Sequence, residues 1–171
     1  MTSHLRRLLL LSLCACSAGI AAPAGAVTQS ATVKVSVVKP LTLTALQNLD
    51  LGTLTLAGGT WSNVTVGVSR AGVLSCSNAN VVCSGATQVG RYKVTGSNKS
   101  VVLITAPDVT LTNQSDPTQT LTMVVDKPAS ITLTSSGEPG VNFDVGGSIT
   151  LSSSTADGDY TGTMNVTAEY Q

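Results

Sequence analysis

The residues whose types and spacing could do chemistry are few: Cys76 and Cys83, and a scatter of aspartates. Six residues, SNANVV, separate the two cysteines. In an exported chain such a pair reads as a local disulfide across a hairpin or loop, with two free thiols as the alternative. Closing a loop of about 8 residues stabilises a fold by about 2.5 kcal/mol by restricting the unfolded chain. Asp157 and Asp159, in "DGD", would offer a cation two carboxylates. The further acids of a calcium loop are missing, so the stretch reads as a turn before the last strand. Asp108, Asp116 and Asp126 fall in separate turns and do not suggest the facing pair that glycoside hydrolysis requires.

Serine is plentiful, but a serine nucleophile needs a base, and no GxSxG elbow occurs. The single histidine is His4, in a segment expected to be removed. Without it the chain has no imidazole for a triad, a zinc site or general-base work. The pairs Gly58–Gly59 and Gly146–Gly147 read as turns rather than phosphate cradles. Trp61 is the only tryptophan, beside three tyrosines and one phenylalanine. That is thin support for a sugar-stacking platform and fits packing better. The expectation is a protein that is not an enzyme, with no catalytic residue, no cofactor and no metal site.

What remains is architecture. Arg6 and Arg7 precede an apolar run from Leu8 to about Ala22, and "AGA" at Ala24–Ala26 offers a small-residue cleavage site before Val27. Residues 1–26 therefore read as a secretory signal peptide. The rival is a lipoprotein signal, with "LCAC" placing Cys16 at the acylated position. Cleavage leaves 145 of the 171 residues, enough for one domain with a real core. The two leader arginines go with it, so seven cations face nine carboxylates, a net charge of −2. Nothing basic is left to attract nucleic acid.

The remainder is rich in Thr, Val, Ser and Gly and shows no helical period of useful length. Period-two alternation recurs instead, broken by Gly, Asn, Asp and Pro. Strands are expected at 31–38, from Leu41, at 49–56, 61–69, in "GVLSC", and at 87–96, 100–106, 108–113, 120–126, 130–136, 147–153 and 159–171. So many short strands argue for an all-β, immunoglobulin-like sandwich, with a jelly roll or closed barrel as runner-up.

Both ends of the domain stand out. In the N-terminal stretch Ala31, Val33, Val35 and Val37 alternate with Thr32, Lys34, Ser36 and Val38, and Pro40 separates this run from the strand expected at Leu41. It reads either as the first strand of the sandwich or as an extension that fills a groove in another copy. At the other end, after Gly158, the residues Tyr160, Met164, Val166, Ala168 and Tyr170 share one face of an extended strand. A strand in that position needs a neighbour on each edge or something to guard the open one.

These residues resemble the subunits assembled by the chaperone–usher pathway. Such pilins carry a glycine about fourteen residues from the end, an alternating last strand and a penultimate tyrosine, matched here by Gly158 and Tyr170. They also carry an alternating N-terminal extension, which Ala31–Val37 resembles. The chain as a whole is most similar to a bacterial family labelled domain of unknown function 4402, through "LTLTALQNLDLGTL", "YKVTGSNKSVVLITAPDVTLTN" and "GDYTGTMNVTAEYQ". The spore-coat U type of secreted pilin looks like a more distant cousin. The chain departs from many pilins in its local cysteine pair and in an extension without glycine.

The resemblance implies a pilin-like sandwich lacking one strand, made of residues 41–171, with residues 27–40 as the donor-strand candidate. The expected function is an exported structural subunit that passes through the periplasm to the cell surface or an extracellular fimbria. Its partners would be copies of itself, head to tail, or related subunits, with a periplasmic chaperone and an outer-membrane usher. The alternative is a self-contained secreted sandwich that binds a carbohydrate or another surface ligand.

Overall fold

The computed structural model describes residues 25–171 and divides them at Val35 and Ser36 into two units. Residues 1–24 of the leader expected over residues 1–26 lie outside the described residues, and Ala26 and Val27 at the expected cleavage point are exposed. Residues 25–41 form no strand, so the alternating run at 31–38 is unpaired here. A strand needs a partner to satisfy its backbone groups, and amphipathic alternation alone supplies none.

The described residues contain no helix. Their thirteen strands are, in order, β1 (Thr42–Gln47), β2 (Thr53–Leu56), β3 (Val64–Val68), β4 (Leu74–Ser75), β5 (Val81–Ser84), β6 (Gly90–Thr95), β7 (Val101–Thr105), β8 (Val109–Asn113), β9 (Thr120–Asp126), β10 (Ser130–Thr132), β11 (Val141–Leu151), β12 (Tyr160–Thr161) and β13 (Thr167–Tyr170). All pairings are antiparallel, and only β3–β4 and β8–β9 join successive strands. They make a curled, sandwich-like arrangement of antiparallel sheets.

The large sheet runs β1-β6-β11-β9-β8-β12, with β3 and β4 attached beside β11. A second sheet runs β10-β7-β13, and β2 with β5 makes a third. The long strand β11 joins two halves. Its first part, Val141–Val145, pairs with β6, and its second part pairs with β3 and β9.

This strand corrects the reading of Gly146–Gly147 as a turn. Both glycines lie inside β11, and their bare backbones admit neighbours that a side chain would displace. A Cβ on Gly147 would stand 2.7 Å from the Met123 sulfur, and one on Gly146 would strike Val68 O. Glycine inside a strand marks close approach here.

Alternation along the strands builds two apolar clusters. One gathers Val64, Val66, Val81, Val109, Met123, Ile149 and Leu151, with Trp61, Cys76 and Cys83 packed against it. Trp61 thus packs, and its indole N–H donates to Ala57 O at 3.0 Å. The cysteines form the expected disulfide, tying the chain after β4 to β5. The other cluster gathers Val94, Val102, Ile104, Leu133, Phe143 and Val145, between the β1-β6-β11 portion and the β10-β7-β13 sheet. Val125 and Met164 touch both.

Candidate functional site: an open seam between two strand edges

β10 contacts β11, and side chains of β1, β6 and β11 pack with those of β7, β10 and β13 in the second cluster. β1 pairs only with β6, and β13 pairs only with β7. Among the described residues no ladder joins β1 to β13. The two sheets therefore present unpaired edges along the same margin, each with a row of free backbone donors and acceptors.

The side chains along this margin are apolar and incompletely covered. From β1 and the residue before it, Leu41 and Leu43 pack onto the second cluster yet stay half-buried, and Ala45, next on that face, is exposed. From the opposite edge Met164, Val166, Ala168 and Tyr170 pack onto the same cluster and are likewise half-buried. On the neighbouring strands β6 and β11, Tyr92 and Phe143 stack, ring centroids 5.5 Å apart and 18° from parallel. Phe143 is buried while Tyr92 is half-buried. Burial pushes the Tyr92 phenol above its ordinary pKa, as removal of the charged form from water requires. Inward-facing residues that remain half-buried on both flanks define an apolar seam between the two edges.

One end of the seam is fastened. The Tyr170 hydroxyl donates to Lys39 O at 2.7 Å and accepts from the Ser97 N–H at 2.8 Å. The Lys39 N–H in turn donates to Ser97 Oγ, and Lys39 Nζ reaches Ser136 O at 3.4 Å. Gly96 permits this, because a Cβ there would run into the Tyr170 hydroxyl and stand 2.8 Å from Leu133. The chain thus enters β1 from a point pinned to the end of β13. Since β1 starts and β13 finishes at that point, the two edges run antiparallel. At the other end residues 162–166 form no strand.

The residues expected at the C-terminal strand divide into two groups. Met164, Val166, Ala168 and Tyr170 line the seam. Gly158 and Tyr160 lie instead at the turn into β12, where Tyr160 donates to Ala156 O at 2.9 Å. Gly158 has φ +135°, and a Cβ there would stand 2.6 Å from the Asn113 amide nitrogen. Asn113, 1% exposed, holds that turn. Its Nδ2 donates to Asp157 O, and its Oδ1 accepts from the Ser115 and Asp116 N–H groups. The expected single strand at 159–171 is therefore two strands in different sheets with a crossing between them.

Of the expected donor residues, Val33, Val35 and Val37 are 91%, 81% and 87% exposed, and Ala31 is exposed. The disulfide Cys76–Cys83 belongs to the other cluster and takes no part in the seam. Sequence reading missed Leu41, Leu43 and Ala45 as its second wall, and Lys39 with Ser97 as its clasp. The signal for the wall was present in the alternation of "LTLTAL"; the clasp carries none.

Elsewhere a shallow surface cleft is lined by Arg70, Arg91, Asn142, Phe143 and Asp144, among others. Its cations are already engaged. Arg91 makes a two-pronged pair with Asp144, at 2.7 and 3.0 Å, which raises the guanidinium pKa further. Arg70 donates to Lys127 O. Among the described residues no three metal-ligating side chains gather, and no helix is long and apolar enough to cross a membrane.

The family model described as "Domain of unknown function (DUF4402)" matches residues 41–170, and the chain belongs to that family. No curated protein matches the chain, and no solved structure does.

Proposed function

We propose that this member of the DUF4402 family is an exported, pilin-like structural subunit that assembles by donating residues 27–38 to the seam of a second copy. The observation that supports the reading is that an unpaired alternating segment and two unpaired strand edges occur in the same chain. The domain has two facing unpaired edges lined by half-buried apolar residues. The extension has an unpaired strand pattern with three exposed valines on one face. Each is costly alone: exposed apolar surface for one, unpaired alternation for both.

Strand addition answers both at once. Backbone hydrogen bonds to β1 and β13 would fix direction and register, and the apolar side chains would supply affinity. Burying Val33, Val35 and Val37 contributes about 5–9 kcal/mol at about 1.5–3 kcal/mol each, before ordering costs. A head-to-tail contact of this kind does not close, so it builds a filament. Export through a periplasm, with a chaperone that covers the seam and an usher that exchanges it, is consistent with this scheme.

A neighbour is the better filler than the chain itself. Lys39 is fastened at the Tyr170 end, so a chain reaching its own seam must reverse direction within Val38–Leu41, across Pro40. The test compares residues 27–171 with residues 39–171, the shorter form retaining the Lys39 clasp. Ladders in unboiled denaturing gels that disappear with the shorter form support donation. Folded monomers from both forms would reject it in favour of a self-contained, ligand-binding sandwich.

A further inference from the structure

We propose that successive domains in such an assembly touch directly, the Lys99–Val101 and Gln171 end of the donor resting on the Leu46–Gln47 and Asn165 end of the acceptor. This rests on the strand-donation reading and adds to it which surfaces meet.

The first argument is length. Val37 is the last apolar residue on the donating face, and Lys39 is held by its own domain through both its N–H and its carbonyl. Two residues span at most about 7 Å, so no flexible linker separates the two domains. The second argument is placement. Ser36 and Val38, on either side of Val37, line a shallow cleft with Lys99, Ser100, Val101, Tyr170 and Gln171 of their own domain. Whatever encloses Val37 therefore meets that surface.

The third argument is direction. A strand inserted antiparallel to β13 brings Val37 to the end of the seam beside Gln47 and Met164, where residues 162–166 form no strand and present no ladder of their own. The reverse direction brings the donor domain to the Tyr170 end. There Lys39, Ser97 and Ser136 are already joined, and the acceptor's own extension departs. That contact would set two like surfaces together and close into a two-fold dimer. The open direction sets unlike surfaces together and leaves each end free to continue.

Cysteine pairs on residues 27–171 test the arrangement, with all three chosen positions exposed. Gln171→Cys is combined with Leu46→Cys, and separately with Asn165→Cys in case the first pair perturbs β1. After mild oxidation and boiling without reductant, which dissolves strand donation but not a disulfide, both double variants are expected to retain ladders of dimers and higher species. Gln171→Cys alone is expected to return to monomer. A covalent dimer from Gln171→Cys alone would overturn the proposal in favour of the closed arrangement. Unboiled ladders that vanish on boiling in both double variants would overturn the direct contact and leave donation standing. The absence of ladders before boiling would overturn both.

Discussion

Val35→Thr separates a donated strand from a merely exposed one. The two side chains have the same branched shape, so strand propensity is preserved. Val35 is 81% exposed in the single chain, and a surface exchange there should change domain stability by no more than about 0.5 kcal/mol. In a neighbour's seam the same exchange loses a buried methyl, about 0.8 kcal/mol. It also buries a hydroxyl among apolar side chains such as Leu43, Val166 and Ala168, at about 1–3 kcal/mol. The sum of about 2–4 kcal/mol weakens each subunit contact about 30- to 700-fold, at tenfold per 1.4 kcal/mol. Lys34→Thr, on the outward face, is the control and should leave assembly unchanged. Sedimentation or sizing across a concentration series reads the contact, and thermal melting of the monomer reads the domain. An assembly constant shifted less than threefold by Val35→Thr, or equal effects from both variants, would refute the assignment of Val35 to the inward face.

Asn113→Ala removes a buried side chain that bonds Asp157 O and two N–H groups, and should cost about 1.5–4.5 kcal/mol, at about 0.5–1.5 kcal/mol for each of the three hydrogen bonds; chemical denaturation measures it. Cys76→Ser with Cys83→Ser should lower domain stability by about 2.5 kcal/mol without changing subunit affinity, because the bridge lies in the cluster away from the seam. Asp116 accepts from the Thr118 hydroxyl at 2.7 Å and the Thr118 N–H at 3.0 Å, and its pKa is lowered chiefly by the hydroxyl. A depressed carboxylate stabilises the fold above its unfolded pKa, and that stability is lost as pH falls through the folded value. Thr118→Val should therefore move the Asp116 titration upward toward the ordinary carboxylate value, followed by NMR on the side-chain carboxyl.

Much of the fold was legible because alternation with period two is a direct imprint of a half-buried sheet. "DVTLTN" and "TLTMVVD" became β8 and β9 nearly as written, and the spacing of Cys76 and Cys83 predicted their bridge. Two local signals misled. Gly146–Gly147 looks like a turn, yet its function is to let β3 and β9 approach β11, a tertiary requirement that local chemistry does not announce. Gly162 lies within an alternating run, and β12 ends just before it, where the backbone passes so close to β8 that a Cβ would stand 2.6 Å from Thr110 O. The chain crosses β8 at that point and resumes in another sheet.

The seam itself was half legible, and the reason is physical. Alternation shows which residues of a strand face inward, but it cannot show whether anything stands beside the strand. Leu43 and Ala168 read identically whether a neighbour covers them or not; only the pairing of β1 with β6 alone, and of β13 with β7 alone, separates a margin from an interior. The same ambiguity runs the other way for Ala31–Val37, whose pattern specifies a strand and leaves its location open. The Tyr170 clasp narrows that choice. It holds Lys39 beside Tyr170 and Ser97, so a strand that residues 31–38 formed alongside their own β1 would need a reversal of the chain within Val38–Leu41.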